Sequence, residues 1–235
     1  MNCKNCNTEF EGNYCNQCGQ VAKTGRLDWH YFKHNIQHSI FHLDQGILYT
    51  AKQFFINPGK APKEFFAGKR VKFTGPIPYF VLGSVLFYIL NKALMTDPVQ
   101  ETQSQVLKYV EEYYSKILLF LIIPLYVLLT KIFFPKNGYN FYELFAFHCY
   151  IQVQFMLIEI AVTFIDWLLV HFYIFLHYNT VTGLKLGIEV LFMGWAFMQL
   201  FDKKNYFICL AKSFLITIGM VIVYGALFAV LYKFM

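Results

Sequence analysis

The sequence has few charged residues for its length, and this shortage argues against an ordinary soluble domain. Only 14% of the 235 residues are Asp, Glu, Lys or Arg, whereas 57% are hydrophobic and the mean hydropathy is +0.42. Soluble domains carry about 25% charged residues. The hydrophobic residues are concentrated in long runs, which is typical of membrane-spanning segments. We therefore expect an integral membrane protein.

The sequence also lacks the common catalytic motifs. It contains no G-x-S-x-G, no H-E-x-x-H, no phosphate-binding glycine loop and no dinucleotide-binding fingerprint. These absences favour a protein that is not an enzyme. The first residues contain no apolar segment of the kind found in secretory signal peptides, so we expect the first membrane helix to direct insertion.

Four cysteines form two C-x-x-C pairs near the N-terminus: Cys3, Cys6, Cys15 and Cys18. Gly19 follows the second pair, where a metal knuckle commonly needs a residue without a side chain. Two such pairs make a closed tetrahedral site, so we predict a ribbon over residues 1–25 that holds one structural zinc ion. The alternatives are a rubredoxin-like iron site and two disulfides, and a cytoplasmic location disfavours the disulfides.

Residues 26–76 are predicted to form a cytosolic amphipathic and basic segment next to the membrane. A helix is expected between Asp28 and the stop signal Asn57-Pro58-Gly59. Its apolar stripe consists of Phe32, Ile36, Ile40, Leu43 and Ile47. Four histidines recur every four residues: His30, His34, His38 and His42. They suggest metal binding or pH sensing, but each step of four rotates by about 40°, so a polar face on an interfacial helix is favoured.

Basic and aromatic residues alternate after this stop signal. This pattern favours contact with anionic lipid headgroups and makes nucleic acid an unlikely partner. The candidate headgroup contacts are Lys63, Lys69, Arg70 and Lys72.

Residues 77–235 contain five apolar runs that are long enough to cross a bilayer, so the predicted fold class is an all-α integral membrane bundle with about five transmembrane helices. The runs are Ile77–Leu94, Ile117–Phe134, Leu144–Val170, Leu184–Phe201 and Phe207–Tyr232. In this arrangement fifteen of the twenty Lys and Arg residues lie on the side of the N-terminus, and the other five lie outside: Lys92, Lys108, Lys116, Lys185 and Lys233. We therefore expect the N-terminus in the cytoplasm and the C-terminus outside.

The third run carries polar residues that fall within about 40° of one another on a helix. They are His148, Gln152, Glu159 and Asp166. Charge in hydrocarbon is costly, so this face should turn away from lipid, where it forms either a functional polar site or hydrogen-bonded contacts between helices. Glu189 of the fourth run is expected at a similar depth to the two acids, and Lys212 of the fifth near the histidine. Three carboxylates together would require a proton or a bound cation.

The order of several motifs resembles the bacterial zinc-ribbon membrane proteins grouped as domain of unknown function 3667. The motifs are C-x-x-C…C-x-x-C-G, Asp44-x-Gly46-x-x-x-Thr50, Pro58-Gly59, Gly68-Lys69-Arg70, Pro76, and the pair Glu143 and His148. Leu144 stands where the family often has a second histidine, which weakens a metal-binding role for that pair. The resemblance implies an N-terminal ribbon on a polytopic membrane domain in a bacterial inner membrane, with no assigned reaction.

Three functions fit these features. The first is a non-enzymatic membrane adaptor or regulator whose ribbon binds an unidentified protein. The second is a transporter or ion-conducting protein that uses the intramembrane acids; five spans cannot form two equal inverted repeats, but a homo-oligomer could supply the symmetry. The third is an intramembrane enzyme in which Glu143, His148 and Asp166 act as acid and base.

Overall fold

The computed structural model describes residues 1–33, 46–94, 122–172 and 178–234, and their regular structure is almost entirely helical. Within these ranges there is no extended β-strand, only two isolated β-bridges. Seven helices are numbered here: α1 (Gly46–Ile56), α2 (Lys60–Ala67), α3 (Pro76–Leu94), α4 (Ile122–Phe133), α5 (Phe141–His171), α6 (Tyr178–Leu200) and α7 (Tyr206–Phe234).

Four of these helices are long and apolar enough to cross a membrane, namely α3, α5, α6 and α7. They correspond to the first, third, fourth and fifth predicted spans, so the all-α membrane fold class is confirmed. The predicted second span corresponds in part to α4, which continues past Pro124 to Phe133. Residues 117–121 lie outside the described ranges, and the count of five spans stays a prediction.

The predicted amphipathic helix is described only at its two ends. Residues 29–33 are helical, and the Asp28 side chain accepts a hydrogen bond from the Tyr31 N–H at 2.8 Å, as expected of an N-cap. Helix α1 ends just before the predicted stop at Asn57-Pro58-Gly59. Most of the predicted apolar stripe and three of the four histidines lie in residues 34–45, outside the described ranges: Ile36, Ile40, Leu43, His34, His38 and His42.

Helix α5 is the central element of the bundle, and it is longer than a bilayer requires. Its 31 residues span about 46 Å at 1.5 Å per residue, whereas a hydrocarbon core is about 30 Å thick. The Tyr150 hydroxyl donates to the Thr74 carbonyl at 2.7 Å, two residues before α3 begins. The first ten residues of α5 therefore extend beyond the start of α3, toward the N-terminal ribbon.

Helices α1 and α2 pack around this extension, and we call the pair the platform. The Phe54 ring of α1 stacks on Tyr150 with centroids 4.0 Å apart, and Phe65 of α2 meets the same tyrosine edge to face. All three side chains are essentially inaccessible to solvent. Aromatic burial of this kind fixes the platform to α5, because each ring removes a large apolar area from water.

Glycines allow close helix packing at two further contacts. A Cβ atom at Gly83 of α3 would lie 2.6 Å from a methyl group of Val153 in α5. A Cβ atom at Gly59, just before α2, would collide with backbone atoms of Ala196 and Leu200 in α6. Small residues at these points let backbones approach, as is common between membrane helices.

Candidate metal site and the polar contacts of the long helix

The ribbon consists of two knuckles with the same backbone pattern, displaced by twelve residues. The amide after each C-x-x-C pair donates to the carbonyl of the first cysteine of that pair, at 2.9 Å in both cases, and these amides belong to Asn7 and Gly19. Both residues have positive φ, +60° and +74°. Glycine is therefore suited to this position, as predicted, and asparagine is among the other residues that tolerate it.

The four cysteine sulfurs form a compact cluster that fits a tetrahedral metal site. All of them lie within 4.8 Å of one another, with 3.5 Å between Cys3 and Cys18 and 3.6 Å between Cys6 and Cys15. A tetrahedron with Zn–S bonds of about 2.3 Å has sulfur–sulfur edges of about 3.8 Å. All six cysteines are free thiols. The donor set fits a metal ion such as zinc, which would hold the two knuckles together and leave no open coordination position.

The thiols of the cluster have unequal acidities before metal binding. Hydrogen bonding to Thr8 lowers the pKa of the Cys6 thiol to about 6, whereas burial raises the pKa of the Cys18 thiol to about 11. Coordination to a metal deprotonates a thiol outright. Metal binding to this site is therefore expected to release protons.

Residues 24–27, which connect the ribbon to the following helices, are held by contacts with both the ribbon and the platform. Within the ribbon, the Lys4 ammonium donates to the Thr24 carbonyl at 2.6 Å. From the platform side, Arg70 donates to the Gly25 carbonyl at 2.7 Å, and its guanidinium lies 5.3 Å from the centre of the Phe65 ring. The exit segment, defined as residues 24–27, thus has partners on both sides.

The exit segment is joined to α5 by an ion pair that the sequence analysis missed. Arg26 donates to both carboxylate oxygens of Glu143, at 2.9 and 2.5 Å, although 117 residues separate them. The Glu143 side chain is only 3% exposed. This bidentate contact raises the pKa of Arg26 above its ordinary value, so the guanidinium stays charged.

Glu143 also completes a capping box at the start of α5. Its backbone N–H donates to the Asn140 side chain at 2.8 Å, and its carboxylate accepts from the Asn140 N–H at 2.9 Å. The Asn140 amide in turn donates to the carbonyl of Leu27, which is fully buried. Glu143, which the sequence analysis grouped with His148 and Asp166 as possible acid and base, thus belongs to the capping box of α5 and also binds the exit segment.

His148 lies in the N-terminal part of α5, residues 141–158, which we call the inner half because the ribbon and the platform adjoin it. It is fully buried among α4 and α6. Its Nε2 and the Thr130 hydroxyl are hydrogen-bonded at 2.8 Å, and its ring stacks on Tyr126. Glu143 and His148 are not joined by a hydrogen bond in the described part of the chain. Lys212, expected near the histidine, donates to the Phe133 carbonyl at 2.7 Å and so binds the C-terminal end of α4.

The rest of α5, residues 159–171, is called the outer half. It carries Glu159 and Asp166, and Glu159 meets a lysine of α6 that the charge count had assigned to the outer side of the membrane. Lys185 lies in α6, where its ammonium is 3.7 Å from Glu159 and 2.9 Å from the Thr163 hydroxyl. Glu189 interacts electrostatically with both Glu159 and Lys185. The protein itself therefore supplies a counter-ion for Glu159.

The other polar residues of α5 differ in their surroundings. Asp166 is half-buried and has no hydrogen bond or ion pair to Glu159 or Glu189 among the described residues. Gln152 is also half-buried, on the predicted face. Gln154, which the sequence analysis did not single out, is fully buried and donates to the Tyr79 hydroxyl at 2.9 Å. Gln154 does not lie on the predicted polar face, so the angular argument could not identify it as a buried polar residue.

The four candidate headgroup residues occupy different environments. Lys69 and Lys72 are exposed, and Lys69 forms an ion pair with Glu64 at 3.4 Å. Lys63 pairs with Asp202 in the α6–α7 loop at 2.5 Å. Arg70 is half-buried against the exit segment. Lys69 and Lys72 are thus the members of the set whose side chains are most accessible to a lipid surface.

The fold and the cysteine cluster together define a helical, membrane-type protein with a candidate N-terminal metal site. The profile of one family, described as "Protein of unknown function (DUF3667)", matches residues 44–88. The match supports the resemblance that the motifs indicated, and it covers the platform and most of α3. The cysteine pairs lie outside it. No curated protein and no solved structure matches the chain.

Within the matched segment, the motif residues serve to fold the platform. A Cβ atom at Gly46 would lie 3.1 Å from the Lys72 carbonyl oxygen, so only glycine fits there without displacement. The Thr50 hydroxyl accepts a hydrogen bond from the Thr74 N–H at 2.9 Å. Gly68 ends α2 with φ +107°, and its N–H binds carbonyls of the last turn. These contacts close a loop between the platform and the start of α3.

Proposed function

We propose that the protein is a membrane-embedded adaptor or regulatory protein whose zinc-bound ribbon is a cytoplasmic interaction module. The observation that supports this most directly is the attachment of the ribbon to the long helix through Arg26 and Glu143. A ribbon on a flexible tether would hold a partner near the membrane without fixing its orientation. A ribbon attached to α5 gives a bound partner a defined position on the bundle. The proposal assigns no reaction to the protein.

The second knuckle carries the surface that suits a partner best. Tyr14 and Val21 are directly opposite each other in a β-bridge, so their side chains share a face, and they are 66% and 50% exposed. The same positions of the first knuckle hold Asn2 and Glu9, which are polar. An exposed aromatic and aliphatic pair is a common feature of protein–protein contacts.

Affinity purification from native membranes tests this function. The full chain is expected to retain a specific protein partner, and the double substitution Tyr14→Ser with Val21→Ser is expected to abolish that retention. The matched control replaces Asn2 and Glu9 with serine at the equivalent positions of the first knuckle. If both variants retained the same proteins as the unaltered chain, this face of the ribbon would not be the interaction module.

The proposed location is a bacterial inner membrane, with the N-terminus in the cytoplasm and the C-terminus outside. Its support is the excess of Lys and Arg on the side of the ribbon. Reporter fusions at residue 20 and at the C-terminus should report opposite sides of the membrane. Reporters on the same side would contradict the five-span arrangement and require an even number of crossings.

Transport is the second candidate, supported by the charge cluster of Glu159, Lys185 and Glu189 in the outer half of the bundle. Buried charges in membrane helices often mark ion routes. Proton or cation flux into liposomes containing the purified protein should then depend on Glu159, and Glu159→Gln should reduce it at unchanged protein content. Liposomes that show no flux above protein-free controls would leave the cluster with a structural role.

A further inference from the structure

The exit segment couples the metal site to the first turns of α5 through a continuous set of contacts. On the ribbon side, Gln20 donates to the Thr24 hydroxyl at 2.7 Å, and Lys4 donates to the Thr24 carbonyl. Both donors belong to the knuckles, since Lys4 lies between the cysteines of the first and Gln20 follows those of the second. The path of residue 24 is therefore set by the two knuckles together.

The ribbon depends on its metal for a stable fold because it has almost no other core. Its hydrophobic cluster consists of six residues, of which four are the cysteines themselves. Only Phe10 and Ala22 add apolar packing to that cluster. Small domains with so little buried area fold when a metal ion holds them together and unfold when it is removed. Loss of the metal consequently releases Lys4 and Gln20 from their fixed positions.

The first turn of α5 depends in turn on the exit segment. Glu143 is buried, and Arg26 is its ion-pair partner among the described residues. A buried carboxylate that loses its cation is destabilising, because the ion pair no longer offsets the cost of burying the charge. Asn140 would lose the Leu27 carbonyl at the same time. Both losses destabilise the N-terminal end of α5, the central helix of the bundle.

From these contacts we propose that the ribbon is a metal-dependent latch, in which metal occupancy at the four cysteines controls the order of the N-terminal turns of α5. In the metal-bound state Arg26 holds Glu143 and the helix begins at Phe141. When the metal leaves, the exit segment loses its contacts with Lys4 and Gln20 and keeps those with the platform and with Asn140. Arg26 then releases Glu143 more often, and the first turns of α5 open more often. The latch rests on the proposed metal site but needs no partner protein.

Hydrogen exchange on the full-length protein in detergent, followed by mass spectrometry, measures this coupling. Zinc content is determined first, and zinc is then removed with a chelator and added back. Amides of residues 144–147, in the first turns of α5, are expected to exchange about tenfold faster after removal and to recover when zinc returns. Residues 186–193 in the middle of α6 are the internal reference and should not change.

The variant Arg26→Gln tests whether the metal site acts on the first turns of α5 through Arg26. In this variant residues 144–147 should already exchange faster with zinc bound, and the further increase on chelation should be several-fold smaller than in the unaltered chain. Lys69→Gln breaks an exposed ion pair with Glu64 and is the matched control, with an unchanged chelation response. An equal chelation response in Arg26→Gln and in the unaltered protein would overturn the role of Arg26.

Two outcomes separate the latch from the proposed function. Purified protein that carries zinc, loses it to the chelator and shows no change at residues 144–147 overturns the latch and leaves the adaptor function intact. Protein that contains no metal while residues 144–147 are fully protected overturns both the zinc assignment and the latch. Cys15→Ser provides a second route to the metal-free state if the chelator fails to reach the site.

Discussion

The inner and outer halves of α5 are both apolar, but their surroundings differ. From Glu143 to Ile158 most side chains are buried, and three polar ones are paired with groups from other elements: Glu143 with Arg26, His148 with Thr130 and Gln154 with Tyr79. From Glu159 onward most side chains are half-buried or exposed, and polar contacts are fewer. The difference shows that polar residues in one helix do not form one functional site merely because they share a face.

The platform accounts for much of this contrast. It covers the first ten residues of α5 with aromatic side chains, whereas α3 and α6 pack along the rest of the helix. The inner half is consequently the structural centre of the protein. The outer half, where Lys185 pairs with Glu159, is where a transport function has to be tested.

The largest effect is expected from removing one zinc ligand, because the ribbon that adjoins the inner half then loses its metal and unfolds. Cys15→Ser is expected to reduce the metal content from about one ion per chain to background and to unfold the ribbon, because three ligands cannot complete the closed site. Elemental analysis of the purified protein measures the metal directly. Cys209→Ser, which alters a cysteine in α7 far along the chain from the ribbon, is the control and should leave the metal content unchanged.

Gly59→Ala should separate the platform from α6. The added methyl group would collide with the backbone at Ala196 and Leu200, so the free energy of unfolding should fall by about 2–3 kcal/mol. Thermal unfolding in detergent measures the loss. Gly187→Ala is the control, because a methyl group at that position of α6 meets no atom of residues 1–33, 46–94, 122–172 or 178–234 within 4 Å. Equal stability of the two variants would contradict the close contact at Gly59.

Thr130→Val should destabilise the inner half by about 1–2 kcal/mol, because it leaves His148 Nε2 without a partner in a fully buried position. The comparison variant is Thr217→Val in α7, whose hydroxyl donates to the Ser213 carbonyl of its own helix at 3.0 Å. A smaller effect is expected there. If the Thr130 and Thr217 variants unfolded at the same temperature, the buried hydrogen bond would have little net value.

Substitutions in the outer half should change the stability of the protein least. Lys185→Met removes the counter-ion of Glu159 and is expected to cost about 1 kcal/mol or less, since the pair is partly exposed. Adding Glu159→Gln should recover part of that loss, which a double-mutant cycle in thermal unfolding detects. Glu159→Gln alone should be tolerated, and Glu159→Leu should be more disruptive if hydrogen bonding at this position matters. Strictly additive effects of Lys185→Met and Glu159→Gln would show that the two residues are not coupled.

The sequence by itself determined the features that depend on local patterns. Apolar runs predicted α3, α5, α6 and α7, because the length of such a run is sufficient to identify a span. The spacing of the cysteine pairs predicted the clustered sulfurs, because two short knuckles leave little conformational freedom. Asn57-Pro58-Gly59 correctly marked the end of α1, since proline and glycine act on their own backbone.

Only the tertiary structure decided which distant residues meet. The partners Arg26 and Glu143 are 117 residues apart, and nothing in either local sequence selects the other. Lys185, assigned from the sequence to the outer side, became the counter-ion of Glu159 because the order and rotation of the helices placed α6 beside α5. Such pairings depend on how whole helices pack against one another, and the period of a single helix contains no information about its neighbour.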